Sequence, residues 1–369
     1  MTNKDLYEFI GQCLALDHHA DSRNKIRDII AGELIDWEKF VAVCSKHLIT
    51  PAIYHQFHRH DLLHCLPQSL VKYLAEITSA NARRNENIIS QMTEIIQILR
   101  EYQIYPVFMK GSGNLIDHLY PDKACRIMGD IDFLVREQDF LKSVQVLKDN
   151  GYHHGHPVHG DPMTFKHYPR LWKQNREADI EIHRIPVSEK YKGWFNYQLI
   201  EKEMVAPIGC SDCFVLSDNH KIILNFIHSQ LSHSGKAMGI VSYRDIYDLQ
   251  LLFQRHGKPV TGIDSGFQKS ANTYFQMANR LLHRQGSEEK CHAIERTLFY
   301  QIHRLNLSSR TFYQSYRVVR KLGSLFKAYC RILRNALISK EIRRLVIDRL
   351  SHPQWYQAHF KMWKSVFVP

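Results

Sequence analysis

Nowhere does the sequence offer eighteen uninterrupted apolar residues, and its opening, MTNKDLYEFIGQ, lacks the cationic stretch and apolar run of a secretory leader. A soluble, cytoplasmic protein is expected. No segment recurs at a fixed period and no low-complexity linker interrupts the chain, which excludes solenoid and disordered classes. A secreted disulfide framework has no support either. The eight cysteines (Cys13, Cys44, Cys65, Cys125, Cys210, Cys213, Cys291 and Cys330) are scattered, so reduced thiols are expected. Cys210 and Cys213 form the one close pair, with no second CxxC or spaced histidine pair to complete a zinc site. They lie between the apolar segments MVAPI and FVL, where Gly209, Ser211 and Asp212 favour a turn, and read as a hairpin tip.

With 369 residues and a 44% hydrophobic composition, the chain can build two or three packed units. Its net charge of +12 is localised: over residues 304–364 fourteen Lys and Arg face two acids, Glu341 and Asp348, so the remainder is neutral overall. Such a stretch is either a solvated helical face or a surface for an anionic partner such as nucleic acid, membrane or an acidic protein. In YRVVRKLGSLFKAYCRILRNALI the residues Val318, Leu322, Leu325, Phe326, Cys330, Ile332 and Leu333 approximate one apolar stripe. A basic amphipathic helix of this kind docks on a membrane or RNA, or packs on a helical domain with its cations in water.

Apolar residues recur at helical spacing up to about residue 103. There the pattern changes. IYPVFM reads as a strand that feeds the turn Lys110-Gly111-Ser112-Gly113 and then a helix, NLIDHLY. A loop over 121–129, a strand over 131–135 and an amphipathic helix closed by Gly151 follow. Residues 153–173 are rich in histidine, proline and aromatics without a clear period, whereas residues 178–183, ADIEIH, alternate polar with apolar and predict a strand. Helices return from Ser217, a candidate N-cap, and include one over 267–285. The expected organisation is a helical region over 1–103, an α/β core over 104–216, a helical domain over 217–300 and a basic helical region over 301–369.

Asp130 and Asp132 flank Ile131 on a predicted strand, so their side chains share one face with Cα atoms about 6.5–7 Å apart. Carboxylates so placed can share divalent cations. A third acid from another strand, Glu181 or Asp179, would complete a two-metal site. Gly111 and Ser112 stand where a strand meets a helix, a setting that offers free N–H groups to phosphate, with Lys110 adding a cation. Arg126 either contacts phosphate or pairs with an aspartate. Among the 23 histidines, His183 is placed to orient Glu181, and His167 lies just before that strand. His228 and His233 are five apart, not at the i, i+4 spacing of a zinc pair, and read as core-edge or polar-face residues. Arg244 and Asp245 either reach a nucleotide from a helical lid or form a structural ion pair.

The stretch MKGSGNLIDHLYPDKACRIMGDIDFLVREQDFLKSVQVLKDNGY, with ADIEIHR downstream, resembles the uncharacterised bacterial nucleotidyltransferase family of the DNA polymerase β-like superfamily. That family's pattern is a Lys-Gly turn, a helix ending in Tyr, an Arg shortly before D-I-D-x-L-V, a helix closing in Gly-Tyr, and an E-x-H strand. The match falls on Lys110, Gly111, Tyr120, Arg126, Asp130, Asp132, Gly151, Tyr152, Glu181 and His183, and with the helical flanks extends from residue 1 to about 260. The connection between the Gly-Ser and the paired acids is longer than in the simplest members of the superfamily. The resemblance implies an α+β fold with a polymerase β-like core embedded between helical domains. It makes Asp130, Asp132 and Glu181 the catalytic metal ligands and places Lys110, Gly111, Ser112, Arg126 and His183 at the nucleotide. Mg2+ or Mn2+ is the implied metal, an NTP the donor, and a hydroxyl-bearing protein, sugar, lipid head group, RNA or small molecule the acceptor.

Two other readings compete. A catalytically silent member of the fold would serve as a binding scaffold, although all three acids are present. A metal-dependent glycosyltransferase also uses D-x-D, but it needs several βα units before the motif, and only one strand and helix precede it here.

Overall fold

The computed structural model describes residues 1–18, 22–32, 35–155, 161–282 and 293–367. Cys291 and the expected helix end at residues 283–285 lie outside the described residues. Contacts divide the chain into two compact units, residues 1–234 with 241–295, and residues 235–240 with 296–369.

The first unit begins with five helices: α1 (Asn3–Leu14), α2 (Ser22–Ala31), α3 (Trp37–Lys46), α4 (Thr50–Arg59) and α5 (Gln68–Arg100). Thr2 starts α1 with a reciprocal capping box to Asp5, and Asp36 caps α3 by accepting from Lys39 N at 3.0 Å. Along α5, Leu70, Leu74, Ile88, Met92, Ile95 and Leu99 are buried, and the same helix buries the amides Asn81, Asn85 and Gln91. Each amide reaches main chain. Asn81 Nδ2 donates to Ala124 O at 2.7 Å, Asn85 Nδ2 to Arg126 O at 2.8 Å, and Gln91 Nε2 to Ala178 O at 2.8 Å. A buried amide without a partner would cost about 1–3 kcal/mol, so these bonds fix the loops to the rod.

The α/β part follows as β1 (Val107–Phe108), α6 (Lys110–Ile116), β2 (Asp130–Leu134), α7 (Phe140–Asp149), β3 (His153–His154), β4 (Leu171–Trp172), β5 (Asp179–His183), α8 (Tyr197–Glu201) and β6 (Phe214–Val215). The strands form one sheet in the order β3-β4-β5-β2-β1-β6. It is mixed: β2 runs parallel to β5 and β1 parallel to β6, while β1 with β2, β4 with β5 and β3 with β4 are antiparallel. Gly151 closes α7 with φ +86°, a conformation that favours glycine. Val205 and Val215 pair antiparallel and close Cys210 and Cys213 into a hairpin, as their turn-forming neighbours predict.

Ser217 caps α9 (Asp218–Phe226) by accepting from His220 N at 3.3 Å, and α9 passes into a π-helical segment, Ile227–Ser232. After α10 (Gly235–Met238), which belongs to the second unit, come α11 (Tyr243–His256) and α12 (Ser265–Leu281). The architecture is therefore α+β, a six-stranded mixed sheet with flanking helices.

The second unit contains α10, α13 (Leu298–Ser308), α14 (Arg310–Ile338), α15 (Lys340–Ser351) and α16 (Pro353–Phe367). His303 anchors α13 to α10: its buried ring places Nδ1 3.0 Å from Gly239 O. No side chain of α14 is fully buried, and Val319, Phe326, Leu333 and Leu337 stand exposed along it. Among the described residues no helix is long and apolar enough to cross a membrane.

Candidate active site

Strand pairing decides the geometry. In the parallel ladder Asp130 faces Asp179, Asp132 faces Glu181 and Leu134 faces His183. Side chains alternate along a strand, so Asp130, Asp132, Glu181 and His183 share one face while Ile131, Phe133, Ile180 and Ile182 fill the core on the other. Asp132, Glu181 and His183 are buried, and one donor atom from each lies within 4.8 Å of the others. His183 Nε2 is 2.8 Å from Asp132 Oδ1 and 3.6 Å from Glu181 Oε2, and its buried Nδ1 has no hydrogen-bond partner among the described residues. Two carboxylates and an imidazole form a donor set that fits a divalent cation.

Cations crowd this face. Lys110, held at φ +52°, sends its ammonium onto Asp132 and to 3.8 Å from Glu181. Arg170 bridges the remaining acids, with Nη2 2.8 Å from Asp130 and Nε 2.9 Å from Glu181. Burial by itself would raise the Asp132 carboxyl, but Lys110 and His183 reverse this and hold it far below the usual carboxylate range. Burial also works against Glu181, which the imidazole of His183 3.6 Å away, with His167 and Lys110, brings down to about 2. Asp130 moves the other way: burial and the charges of Asp132 and Glu181 raise it despite Lys110 and Arg170.

Asp130, Asp132, Glu181, Lys110 and Arg170 open on one cavity of about 410 Å3, which Gly111, Arg126, Lys166, His167, His228 and Arg244 also line, while His183 lies fully buried behind the acids. Arg126 takes the structural option that its sequence left open. Its Nε donates to both oxygens of Asp248, at 3.2 and 3.0 Å, and Tyr120 OH donates to the same carboxylate at 3.0 Å. Ser112 is fully buried. Its hydroxyl donates to Met109 O at 2.8 Å and Asp132 O at 2.9 Å and accepts from Asp132 N at 3.1 Å. It ties α6 to β2.

A model of a family described as uncharacterised nucleotidyltransferase matches residues 33–267. The chain belongs to that family. No curated protein and no solved structure matches it. The matched region of this nucleotidyltransferase-family chain takes in the whole cavity wall, including three contributors that sequence reasoning missed. Lys166 and Arg170 come from the segment without a period, where no local signal marks them. Asp248 lies three residues after Asp245 on α11, an i, i+3 pair that could have flagged it.

Proposed function

We propose that the protein is a metal-dependent nucleotidyltransferase, which moves a nucleoside monophosphate from an NTP to a hydroxyl-bearing acceptor. The observation that carries this reading is the convergence of Asp132 and Glu181, direct neighbours across the β2–β5 ladder, with His183 on one buried face. Asp130, Asp132 and Glu181 would hold the metal, with His183 orienting Asp132, and Mg2+ or Mn2+ would suit the carboxylate set. Divalent cations in such a site neutralise the phosphates and lower the pKa of an attacking hydroxyl.

The chain's own side chains position and neutralise. His183 fixes the Asp132 carboxylate, Arg170 holds Asp130 and Glu181 in one plane of charge, and Lys110 supplies a cation beside them. The acceptor oxygen bonds to the α-phosphorus, the bond to the bridging oxygen of the β-phosphate breaks, pyrophosphate leaves and the hydroxyl proton is released. Incubation of the pure protein with each labelled NTP, Mg2+ or Mn2+ and a cell lysate tests this and reveals the acceptor. Label incorporation is expected with the native chain and none with Asp132→Asn; equal incorporation by the variant refutes the reading.

A further inference from the structure

Six Lys and Arg side chains line the cavity, and four of them are engaged by carboxylates. Lys110 and Arg170 sit in the acid cluster, Arg126 is held by Asp248, and Lys221 by Asp117. Lys166 and Arg244 differ. Among the described residues Lys166 makes no ion pair, and Arg244 reaches only its neighbour Asp245, at 3.5 Å. Lys166 is nevertheless well placed: its main-chain oxygen accepts from Arg184 N at 3.0 Å, and the adjacent His167 bridges to His183. Burial, together with the nearby charge of Lys110, disfavours its ammonium. Asp132, Glu181 and Asp130 act on it from a distance, but among the described residues no carboxylate touches it, and a positioned, half-buried cation of this kind is a place for an anion from solution.

The neighbouring wall has been reshaped by the π-helical segment. In an α-helix two residues five apart point about 140° away from each other. The i→i+5 bonding of Ile227–Ser232 instead brings His228 and His233 together, with Nε2 atoms 3.1 Å apart and ring centroids 4.3 Å apart. This explains a pair that α-helical spacing does not. Burial, then the charge of Lys110, holds His228 at about 3, so it faces the cavity as a neutral hydrogen-bonding group. His233 lies within electrostatic reach of Lys110, Lys166 and Arg244 together.

One cavity thus combines a carboxylate cluster suited to a divalent cation with Lys166, which no carboxylate touches, Arg244, which holds only its neighbour Asp245, and a neutral imidazole pair. That asymmetry suits an anion that carries its own metal. The start of α6 is a poor alternative, because α6 has seven residues and the Ser112 hydroxyl is already bonded to main chain. We propose that Lys166 and Arg244, with the His228–His233 pair lining the same wall, bind the polyphosphate of a metal-chelated nucleoside triphosphate. The choice of a nucleotide rests on the transferase reading; the anion site does not.

Titration calorimetry of the full chain with inorganic tripolyphosphate, in EDTA and again in Mg2+, tests this apart from turnover. Lys166→Met and Arg244→Met are each expected to weaken tripolyphosphate binding about tenfold and the double variant about a hundredfold, as charge-assisted bonds to phosphate require. Ser112→Ala, shown by its melting curve to be folded, is expected to bind within about twofold of the native chain. Native-like affinity in the double variant overturns the proposal, as does a loss confined to Ser112→Ala. If the cation variants lose tripolyphosphate binding while no labelled NTP is ever transferred, the anion site stands and the transferase reading falls. Transfer with an unchanged KM for the NTP in the double variant sinks the site and leaves the transferase reading intact.

Discussion

Replacing Asp248 by asparagine removes one charge from the back of the cavity and almost nothing else. The Arg126 guanidinium, 8% exposed against 6% for the carboxylate, would keep its contact to Ile127 O at 2.6 Å but lose its counter-ion. Arginine cannot shed its proton, so the positive charge stays buried. Two unit charges about 4 Å apart interact by about 4 kcal/mol at an effective dielectric of about 20, and breaking a buried pair from one side costs about 3–5 kcal/mol. Asp248→Asn is therefore expected to lose about 3–5 kcal/mol.

The mirror variant, Arg126→Met, leaves a carboxylate that can neutralise itself. Burial already raises the Asp248 pKa. A folded-state pKa above the unfolded value gives stability that is full at low pH and is lost as pH rises through the folded value. Arg126→Met should thus be less destabilised at pH 5 than at pH 8. Urea unfolding followed by circular dichroism gives the magnitudes, and amide exchange in β2 and α11 assigns them to this unit. A loss below about 1 kcal/mol in Asp248→Asn, or no pH trend in Arg126→Met, refutes the reasoning.

A Cβ on Gly113 would stand 2.5 Å from the Phe108 carbonyl oxygen, so Gly113→Ala is expected to cost about 1–3 kcal/mol in a thermal melt. Gly111→Ala meets the movable Met128 side chain at 2.9 Å and Arg126 Nη2 at 3.4 Å, side-chain atoms rather than main chain, and should cost less. Lys110 and a divalent cation draw on the same two carboxylates, so Lys110→Met is expected to tighten Mn2+ binding about tenfold by electron paramagnetic resonance, and weaker binding would argue against a shared site. Burial holds His303 at about 4, below its ordinary 6.5, so its contribution is complete above pH 6.5 and is lost as pH falls towards 4. The full difference is about 3 kcal/mol, and His303→Phe should flatten that part of the urea midpoint against pH.

Local pattern carried the sequence reading furthest at β2 and β5, where alternation marked the buried face and left Asp130, Asp132, Glu181 and His183 on the other. The same alternation could not supply the β2–β5 register, because a parallel pairing across some fifty residues leaves no local trace. Ser112 illustrates the opposite limit. Its position at a strand-to-helix turn suggested phosphate, but the hydroxyl's partners are main-chain atoms that only the fold brings near. His228 and His233, read as core-edge or polar-face residues, are half-buried and exposed, and only their contact escaped the sequence, because the π-helical segment that joins them has no periodicity of its own. Lys166 and Arg170 escaped notice because their segment pairs with the end of β5 through single bridges rather than a regular strand.

The amide contacts of α5 make that helix a gauge for the acidic face of the sheet. Asn81 and Asn85 grip the loop that leads into β2, and Gln91, two to three turns further along the same rod, grips the residue before β5. One residue inserted between them would swing the second grip by about 100° and move it by about 1.5 Å along the axis. Length variation among relatives should therefore collect in the loops at either end of α5 and spare the eleven residues, 81–91, that span the two grips.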